Sequence, residues 1–173
     1  MGMEIRAKVC EYVRLRLISL RAETPGSYQN AAVIRANTMK NLLNFIAPAT
    51  LDKIFICFPD PHFKARNHRR RIVSHDLLSE YAFVLKRGAL LYMITDVEEL
   101  HNWHVEKADA HNLFERVPKE EEDKDECVKL MVGCTEEGKK VERMGKPKYW
   151  AVYRRKLEDP APPATLDDFF ACK

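Results

Sequence analysis

Four segments of the chain repeat apolar side chains at the spacing of an amphipathic helix. The first has Ile5, Val9, Val13, Leu17 and Leu20, which recur every three or four positions. Side chains at that spacing share one face of a helix, so each segment predicts a helix with one packed face. The predicted helices span 5–22, 39–46, 74–85 and 97–110.

Other segments have the pattern of strands. Residues 51–58 and 89–95 are apolar almost throughout, which is typical of strands covered on both faces. Helices and strands that alternate in this way indicate an α/β domain with a mostly parallel sheet. Ligands bind beyond the carboxyl ends of such strands, where Asp60 and Asp96 follow. The predicted strands span 30–35, 51–58, 89–95 and 149–155.

The charge of the chain is small overall but unevenly distributed. The 173 residues carry a formal net charge of +3, which by itself does not indicate a nucleic-acid partner. Residues 64–71 hold five lysines or arginines and one histidine without any acid, whereas residues 119–126 hold six acids and two lysines. Either run, taken alone, is typical of a solvated face.

The cysteines and histidines indicate neither disulfides nor a metal. The five cysteines are scattered without a CxxC pair and no signal peptide precedes them, so we expect reduced thiols in an intracellular protein. No apolar run reaches the roughly 20 residues that span a bilayer. His101 and His104 lie one helical turn apart, but nothing nearby completes a metal site, so a solvated helix face is expected there.

The most informative motif joins the predicted strand at 51–58 to the basic run. It reads Phe58-Pro59-Asp60-Pro61-His62-Phe63-Lys64, in which two prolines restrict the backbone around a carboxylate. A fixed carboxylate can accept hydrogen bonds from a nucleobase while neighbouring cations bind the phosphates around it. The residues alone leave a second interpretation, in which Asp60 only caps a following helix.

With His68 and Arg69 downstream, this motif resembles the eukaryotic form of the signature of the tRNA (guanine-N7-)-methyltransferases. Blocks similar to that family keep its order over essentially residues 3–156. The resemblance implies a Rossmann-like class I methyltransferase fold, S-adenosylmethionine as cofactor, and formation of 7-methylguanosine in the tRNA variable loop. The further blocks are Glu4-Ile5-Arg6, Asn37-Thr38-Met39-Lys40, Ile94-Thr95-Asp96-Val97 and Thr135-Glu136-Glu137-Gly138-Lys139-Lys140.

The resemblance also implies the roles of individual residues. Asp60 would hold the guanine; because N7 has a lone pair and no proton, positioning and electrostatics would supply the catalysis without a general base. The implied cofactor-binding residues are Glu4, Arg6, Asn37, Thr38, Cys57, Thr135 and Glu137. The implied RNA-binding residues are His62, Lys64, Arg66, His68, Arg69, Arg70, Arg71, Lys139 and Lys140.

Two of these assignments have a structural alternative. Cys57 lies on an apolar strand and is equally well explained as a core residue. Thr135, followed by Glu136 and Glu137, has the composition of a helix start, a capping hydroxyl with acids in the first turn.

The chain departs from the family pattern at its front. Family members carry a first strand and a glycine-rich turn ahead of the Glu-Ile-Arg segment, and the six glycines here include no GxG. We therefore expect residues 1–156 to form the C-terminal two-thirds of a methyltransferase domain, incomplete at the N-terminus, and 157–173 to be a disordered tail. The strand at 51–58 would then have one open edge, and the strand at 30–35 would have little to pair with.

Three functions are compatible with the sequence. The resemblance implies the catalytic subunit of a tRNA methyltransferase, active in the nucleus and also expected in the cytoplasm, in a heterodimer with a WD-repeat protein. An alternative is a catalytically inactive relative that retains tRNA or partner binding. A third is a methyltransferase for amino groups of bases, against which the basic run and the Thr-Glu-Glu block argue. None of these involves a metal or a membrane.

Overall fold

The computed structural model of the protein describes residues 1–158. They fall into two compact units, Met1–Ala47 and a second unit that begins at Pro48. Of the predicted tail at 157–173, only Leu157 and Glu158 are described; the rest lies outside the described residues. In the described part of the chain, no helix is both long and apolar enough to pass through a bilayer.

The N-terminal unit contains two strands and two helices. β1 and β2 pair in parallel, with Glu4 opposite Arg35. The expectation that the strand at 30–35 would have little to pair with is therefore wrong, because the residues just before Ile5 form its partner. The apolar stripe of the first helix is its half-buried side. The elements are β1 Gly2–Glu4, α1 Ala7–Glu23, β2 Val33–Arg35 and α2 Thr38–Phe45.

The second unit combines a four-stranded sheet with helices. Tyr92, Ile94 and Val152 of the sheet form a buried cluster with Val128 and Met131 of one helix. The predicted α/β class is confirmed. The elements are β3 Leu51–Cys57, a 3₁₀ helix Ala65–Arg70, α3 His75–Val84, β4 Leu85–Thr95, α4 Glu98–Asp109, β5 Phe114–Arg116, α5 Lys119–Glu122, α6 Glu126–Gly133, α7 Glu136–Arg143 and β6 Tyr149–Arg155.

The sheet of the second unit is mixed, where the sequence indicated a mostly parallel one. Its strand order is β3-β4-β6-β5. β3 and β4 are parallel, whereas β6 runs antiparallel to both of its neighbours. The side chains of 149–155 alternate in a pattern that predicts a half-exposed strand, but the structure does not show this alternation. Ala151, Val152 and Tyr153 are all buried, because β6 lies between β4 and β5.

The two apolar strands differ in burial because they differ in position. Leu91 and Ile94 of β4, which lies between two strands, are fully buried. β3 pairs only with β4 among the described strands, and Ile56 is its one buried residue. The prediction that β3 is covered on both faces is therefore wrong for the described residues, whereas the expected open edge is present there.

Gly88 lies within a strand and does not simply end the preceding helix. α3 ends at Val84, and β4 begins at once with Leu85. Gly88 has a φ of +79° and lies at an irregularity of the β3–β4 ladder. Between the pairs Leu51–Leu85 and Lys53–Leu90, β3 advances by two residues and β4 by five. Glycine adopts that conformation without strain, so the strand continues through it.

The prediction of a solvated face is wrong for His104 and for one residue of the acidic run, most of which is exposed as predicted. His104 of α4 is buried, and that burial lowers the pKa of its imidazole to about 3. In the acidic run, Glu122 is also buried, where its Oε1 accepts hydrogen bonds from the Val152 amide at 3.1 Å and from Arg116 Nε at 3.2 Å. Glu122 thus links α5 to β5 and β6. Among the described residues no cluster of three metal-binding side chains occurs.

Candidate active site

The first cluster of predicted site residues lies in the N-terminal unit, at the carboxyl ends of β1 and β2. Glu4 ends β1, and its carbonyl accepts a hydrogen bond from the Ala36 amide at 3.1 Å. Its carboxylate accepts hydrogen bonds from Arg6: from the backbone amide at 2.8 Å, from Nε at 3.1 Å and from Nη2 at 3.0 Å. The hydrogen bond from the Arg6 side chain lowers the pKa of Glu4 most, so the carboxylate is ionised and fixed.

Asn37 and Thr38 lie where β2 leads into α2, close to the end of β1. The Asn37 Oδ1 accepts a hydrogen bond from the Met39 amide at 3.0 Å, so Asn37 is the N-cap of the helix. This cap occupies the side-chain oxygen and leaves the NH₂ group as a donor. Because Glu4 pairs with Arg35 across the two strands, all four predicted residues of this unit lie at one edge of the small sheet.

The loop that carries Asp60 begins at the carboxyl end of β3. The Phe58 amide donates to the Ile94 carbonyl at 2.8 Å, which holds the start of the loop against β4. Phe58 and His62, on either side of Asp60, have φ values of +49° and +47°. Such conformations cost about 1–3 kcal/mol each in side-chain-bearing residues and are concentrated at functional sites. Tyr28 and Ala49 also have a positive φ, so the strain supports this loop as a candidate site only together with its motif.

The Asp60 carboxylate faces solvent. Its side chain is 73% exposed, and its Oδ1 accepts a hydrogen bond from the His62 amide at 3.1 Å. Asp60 does not cap the following helix, because the 3₁₀ helix starts at Ala65 and has no side-chain cap. The capping interpretation is thus wrong. The backbone hydrogen bond orients one carboxylate oxygen and leaves the group available to a ligand.

Cys57 and Thr135 line the same groove beside β3. The groove has a volume of about 330 Å³ and is lined almost wholly by apolar atoms of Phe55, Cys57, Cys127, Leu130, Met131 and Thr135. Cys57 is exposed, so its interpretation as a core residue is wrong. Desolvation by the surrounding chain raises the pKa of its thiol, which is therefore neutral at pH 7.

Thr135 and Glu137 are engaged in helix interactions. The Thr135 Oγ1 accepts a hydrogen bond from the Gly138 amide at 3.1 Å and donates to the Met131 carbonyl at 3.3 Å. Thr135 is therefore the N-cap of α7. The Glu137 carboxylate forms an ion pair with Lys140 at 2.8 Å one turn along the same helix. The capping role of Thr135 does not exclude ligand contact, since Thr135 also lines the groove.

Four of the predicted RNA contacts form an exposed cationic surface on and next to the 3₁₀ helix. Within the part of the chain that the structure describes, none of these four side chains has an ion-pair partner, so their charges are available to an anion. We call them the cationic surface: Lys64, Arg66, Arg69 and Arg70.

The remaining predicted RNA contacts are differently placed. Arg71 is only 2% exposed, and its guanidinium is held by internal partners, so its assignment as a phosphate contact is corrected. His62 and His68 are half-buried. Lys139 and Lys140 are exposed but pair with acids of their own helix, at 3.7 Å and 2.8 Å.

Sequence reasoning missed three residues near the motif. Phe63 is 67% exposed between Asp60 and the cationic surface, and an aromatic residue beside cations is itself a nucleic-acid signal. Glu99 and Trp103 of α4 contact the Arg71 guanidinium. Their spacing of four residues places them on one helix face, but nothing in the sequence links them to a residue 28 positions earlier.

Known proteins resemble the chain over most of its length. The tRNA (guanine-N(7)-)-methyltransferase of Botryotinia fuckeliana is 56% identical over 162 residues, which cover 92% of this chain and 57% of that protein. Proteins of the same name from Chaetomium globosum and Vanderwaltozyma polyspora are each 55% identical, and each match covers 93% of this chain. These matches cover 55% and 57% of the two relatives.

The chain thus spans little more than half the length of these curated relatives. A solved structure named "StiE O-MT residues 942-1257" matches 91% of this chain and 60% of that chain, with 15% identity and a TM-score of 0.48. Residues 1–151 match the family described as "Putative methyltransferase". Because the family match covers most of the 173 residues, the chain belongs to this methyltransferase family.

Proposed function

We propose that the chain acts in a tRNA (guanine-N7-)-methyltransferase, which moves a methyl group from S-adenosylmethionine to N7 of a tRNA guanine. The observation that carries the proposal is the exposed Asp60 carboxylate on a strained loop that leads into the cationic surface. The name that the curated relatives share supports the same substrate. The resemblance of the motifs further supports the variable-loop guanine, a WD-repeat partner and a nuclear location.

The chemistry requires positioning more than proton transfer. The N7 lone pair forms the new N–C bond as the C–S bond of the donor breaks, and the guanine ring gains a positive charge. Asp60 would accept hydrogen bonds from the N–H groups of the guanine Watson–Crick edge and stabilise that charge. The His62 amide, 3.1 Å from Oδ1, would hold the carboxylate in place during transfer.

The residues present fit S-adenosylmethionine, which supplies an electrophilic methyl group. The ionised Glu4 carboxylate is a suitable acceptor for ribose hydroxyls, and Arg6 keeps it in one orientation. Asn37 and Thr38 would contact the adenine. In the second unit, taken by itself, Cys57 and Thr135 line an apolar groove, and Glu137 lies in the first turn of α7.

The proposal predicts that Asp60→Asn abolishes most of the turnover. The amide keeps the size of the side chain but loses the negative charge, and loss of one such electrostatic contact lowers kcat by about 10²–10³-fold. The measurement is methyl transfer to tRNA with identification of the product nucleoside by mass, beside calorimetric titration of S-adenosylmethionine. Cofactor affinity should stay within about twofold, since Asp60 is assigned to the guanine.

Asp52→Asn provides a matched control. Asp52 is as exposed as Asp60, at 74% against 73%, and lies on the strand that leads to the Asp60 loop. Its only described ion pair is with Lys86, at 2.7 Å. The control should retain turnover. Unreduced transfer by Asp60→Asn would contradict the role of Asp60, and a product methylated on an amino group would contradict the N7 chemistry.

A further inference from the structure

The buried Arg71 guanidinium connects three parts of the second unit. Its Nε donates to the Pro61 carbonyl at 3.0 Å, and its Nη2 donates to Glu99 Oε1 at 2.6 Å. Its Cζ atom lies 4.8 Å from the centre of the Trp103 ring. Arginine can make all three contacts at once because its guanidinium is planar, carries several donors and stacks on aromatic rings.

The partners of Arg71 on α4 are themselves held in place. Glu99 and Trp103 are four residues apart and therefore lie on the same face of the helix. The Trp103 indole donates to the Val73 carbonyl at 2.7 Å, and Lys107, one turn further, lies 4.6 Å from the same ring. The guanidinium is consequently fixed by a helix that belongs to the folded core.

The loop on the other side of Arg71 makes few hydrogen bonds to the rest of the protein. Among the described residues, the bond from Arg71 to the Pro61 carbonyl is the one hydrogen bond between residues 59–63 and the rest of the protein. The other hydrogen bond in this stretch, from the His62 amide to Asp60, is local. Strained conformations like those of Phe58 and His62 persist only where surrounding contacts enforce them.

We propose that Arg71 is a positioning residue for Asp60, because it anchors the carbonyl of Pro61 to α4 and so fixes the residue that directly precedes Pro61 in the chain. The inference rests on the proposed function, in which Asp60 holds the guanine. Arg71 itself touches no substrate, since it is buried. Its loss should therefore lower the rate of transfer and leave the binding of tRNA largely unchanged.

The first test is a comparison of kinetic constants. Arg71→Gln should lower kcat by about 10²-fold, the effect of a displacement of about 1 Å at a reacting centre. The KM for tRNA and the slope of tRNA affinity against salt should stay within about twofold of the wild type. Two milder substitutions should each cause a smaller loss of kcat. Arg71→Lys keeps the positive charge but loses the planar set of donors, and Glu99→Gln weakens the hydrogen bond that anchors Arg71 to α4.

Arg116→Gln is the matched control for stability. Arg116 likewise lies beside a carboxylate and an aromatic ring, with its Nε 3.2 Å from Glu122 and its guanidinium 5.2 Å from the Tyr153 ring. Its side chain is 37% exposed, whereas that of Arg71 is 1% exposed, and no described hydrogen bond or ion pair joins Arg116 to residues 59–63. The substitution Arg116→Gln should lower the melting temperature, but it should not lower kcat at a temperature where the protein is folded. If the two variants lose kcat equally at equal stability, the positioning role is overturned.

Amide hydrogen exchange tests the anchor without any turnover. In Arg71→Gln, the His62 amide, which donates to Asp60 Oδ1, should exchange at least about tenfold faster, whereas Arg116→Gln should leave its exchange unchanged. Unchanged exchange in Arg71→Gln and Glu99→Gln overturns the anchor, whatever the activity. If the wild-type chain binds tRNA but forms no 7-methylguanosine, the proposed function and the catalytic part of this inference are both overturned. The hydrogen-exchange result does not depend on turnover, so it shows separately whether Arg71 anchors the loop.

Discussion

Consecutive residues of the same type face different surroundings in this protein. Arg69 and Arg70 are exposed on the cationic surface, whereas Arg71 is buried against Trp103 and Glu99. An exposed cation interacts with an anion through screened charge, so its loss lowers affinity by a modest amount. A buried guanidinium with a fixed set of acceptors determines the geometry around it, so its loss affects the position of its partners.

At the residue scale, Gly138 is predicted to be intolerant of a side chain. A Cβ atom there would lie 2.6 Å from Thr135 Oγ1 and 2.9 Å from the Val132 carbonyl. Gly138→Ala should lower the free energy of unfolding by roughly 1–3 kcal/mol, because overpacking outweighs the helix preference of alanine. Denaturant unfolding measures this change.

Gly133→Ala is the control for this substitution. Gly133 is the last residue of α6, and no atom lies within 4 Å of a Cβ placed on it. Alanine there should stabilise the protein by about 0.4–1 kcal/mol, since it restricts the unfolded chain. Equal effects of the two substitutions would contradict the assigned clash with Thr135.

The sequence indicated the identity of the key residues better than their burial. The prolines around Asp60 and the capping pattern at Thr135 are local signals, and local signals survive in the fold. The burial of Arg71 and Glu122 depends on partners 28 and 30 residues away. Such partners are chosen by tertiary packing, which periodicity and composition do not encode.

At the scale of elements, two histidines on and after α4 are kept neutral by burial. Burial lowers the pKa of His111 to about 4 and that of His104 to about 3. The His111 Nδ1 accepts from the Leu113 amide at 3.3 Å, and its Nε2 lies 3.0 Å from Ser79 Oγ of α3. Protonation would remove the acceptor at Nδ1 and place a charge between two helices.

Stability should therefore fall as the pH is lowered. The unfolded chain protonates these histidines near pH 6.5 and the folded chain only near pH 4 or below. Their contribution is complete above about pH 6.5 and is lost as the pH falls toward 4, at up to about 1.4 kcal/mol per pH unit and histidine. Unfolding by urea at several pH values measures the slope.

Substitution of His111 by Gln should reduce that slope, because one of the two buried groups no longer titrates. His75, whose ring lies 4.8 Å from His111, is exposed and serves as the control. His75→Gln should leave most of the acid dependence in place. A slope unaffected by His111→Gln would show that other groups govern the acid sensitivity.

Elements with a clear apolar period were predictable from the chain, and several of the shortest elements were not. The helices α1 to α4 and the strand β6 follow the apolar pattern to within a few residues. β1, β5 and α5 have three or four residues, too few for a period to be recognised. β5 exists because it pairs with β6, and that pairing is non-local.

At the scale of the molecule, the distribution of charge matters more than its sum. The net charge is only +3, yet the second unit carries the cationic surface next to the Asp60 loop. Local charge of one sign attracts a polyanion even when the total is near zero. A motif and a charge run therefore indicate the candidate site, whereas the composition of the chain does not.

Affinity for tRNA should depend on salt through the cationic surface. Each phosphate contact that is lost should lower the slope of log affinity against log salt by about 0.7–0.9. The double substitution of Arg69 and Arg70 by Ala should thus lower the slope by about 1.4–1.8, measured by tRNA titration at several salt concentrations. Lys129→Ala, which removes an exposed lysine of α6, is the control. An unchanged salt slope in the double variant would exclude Arg69 and Arg70 as phosphate contacts.

The open edge of β3 has a consequence for handling the protein in solution. Its backbone donors and acceptors, unpaired among the described strands, form a template on which a strand of another molecule can add. The exposed Asp52 and Lys53 place charges along this edge and oppose the pairing of another strand with it. Concentrated salt screens those charges, so a buffer that releases tRNA also favours precipitation of the protein. Binding experiments should therefore start from dilute protein samples.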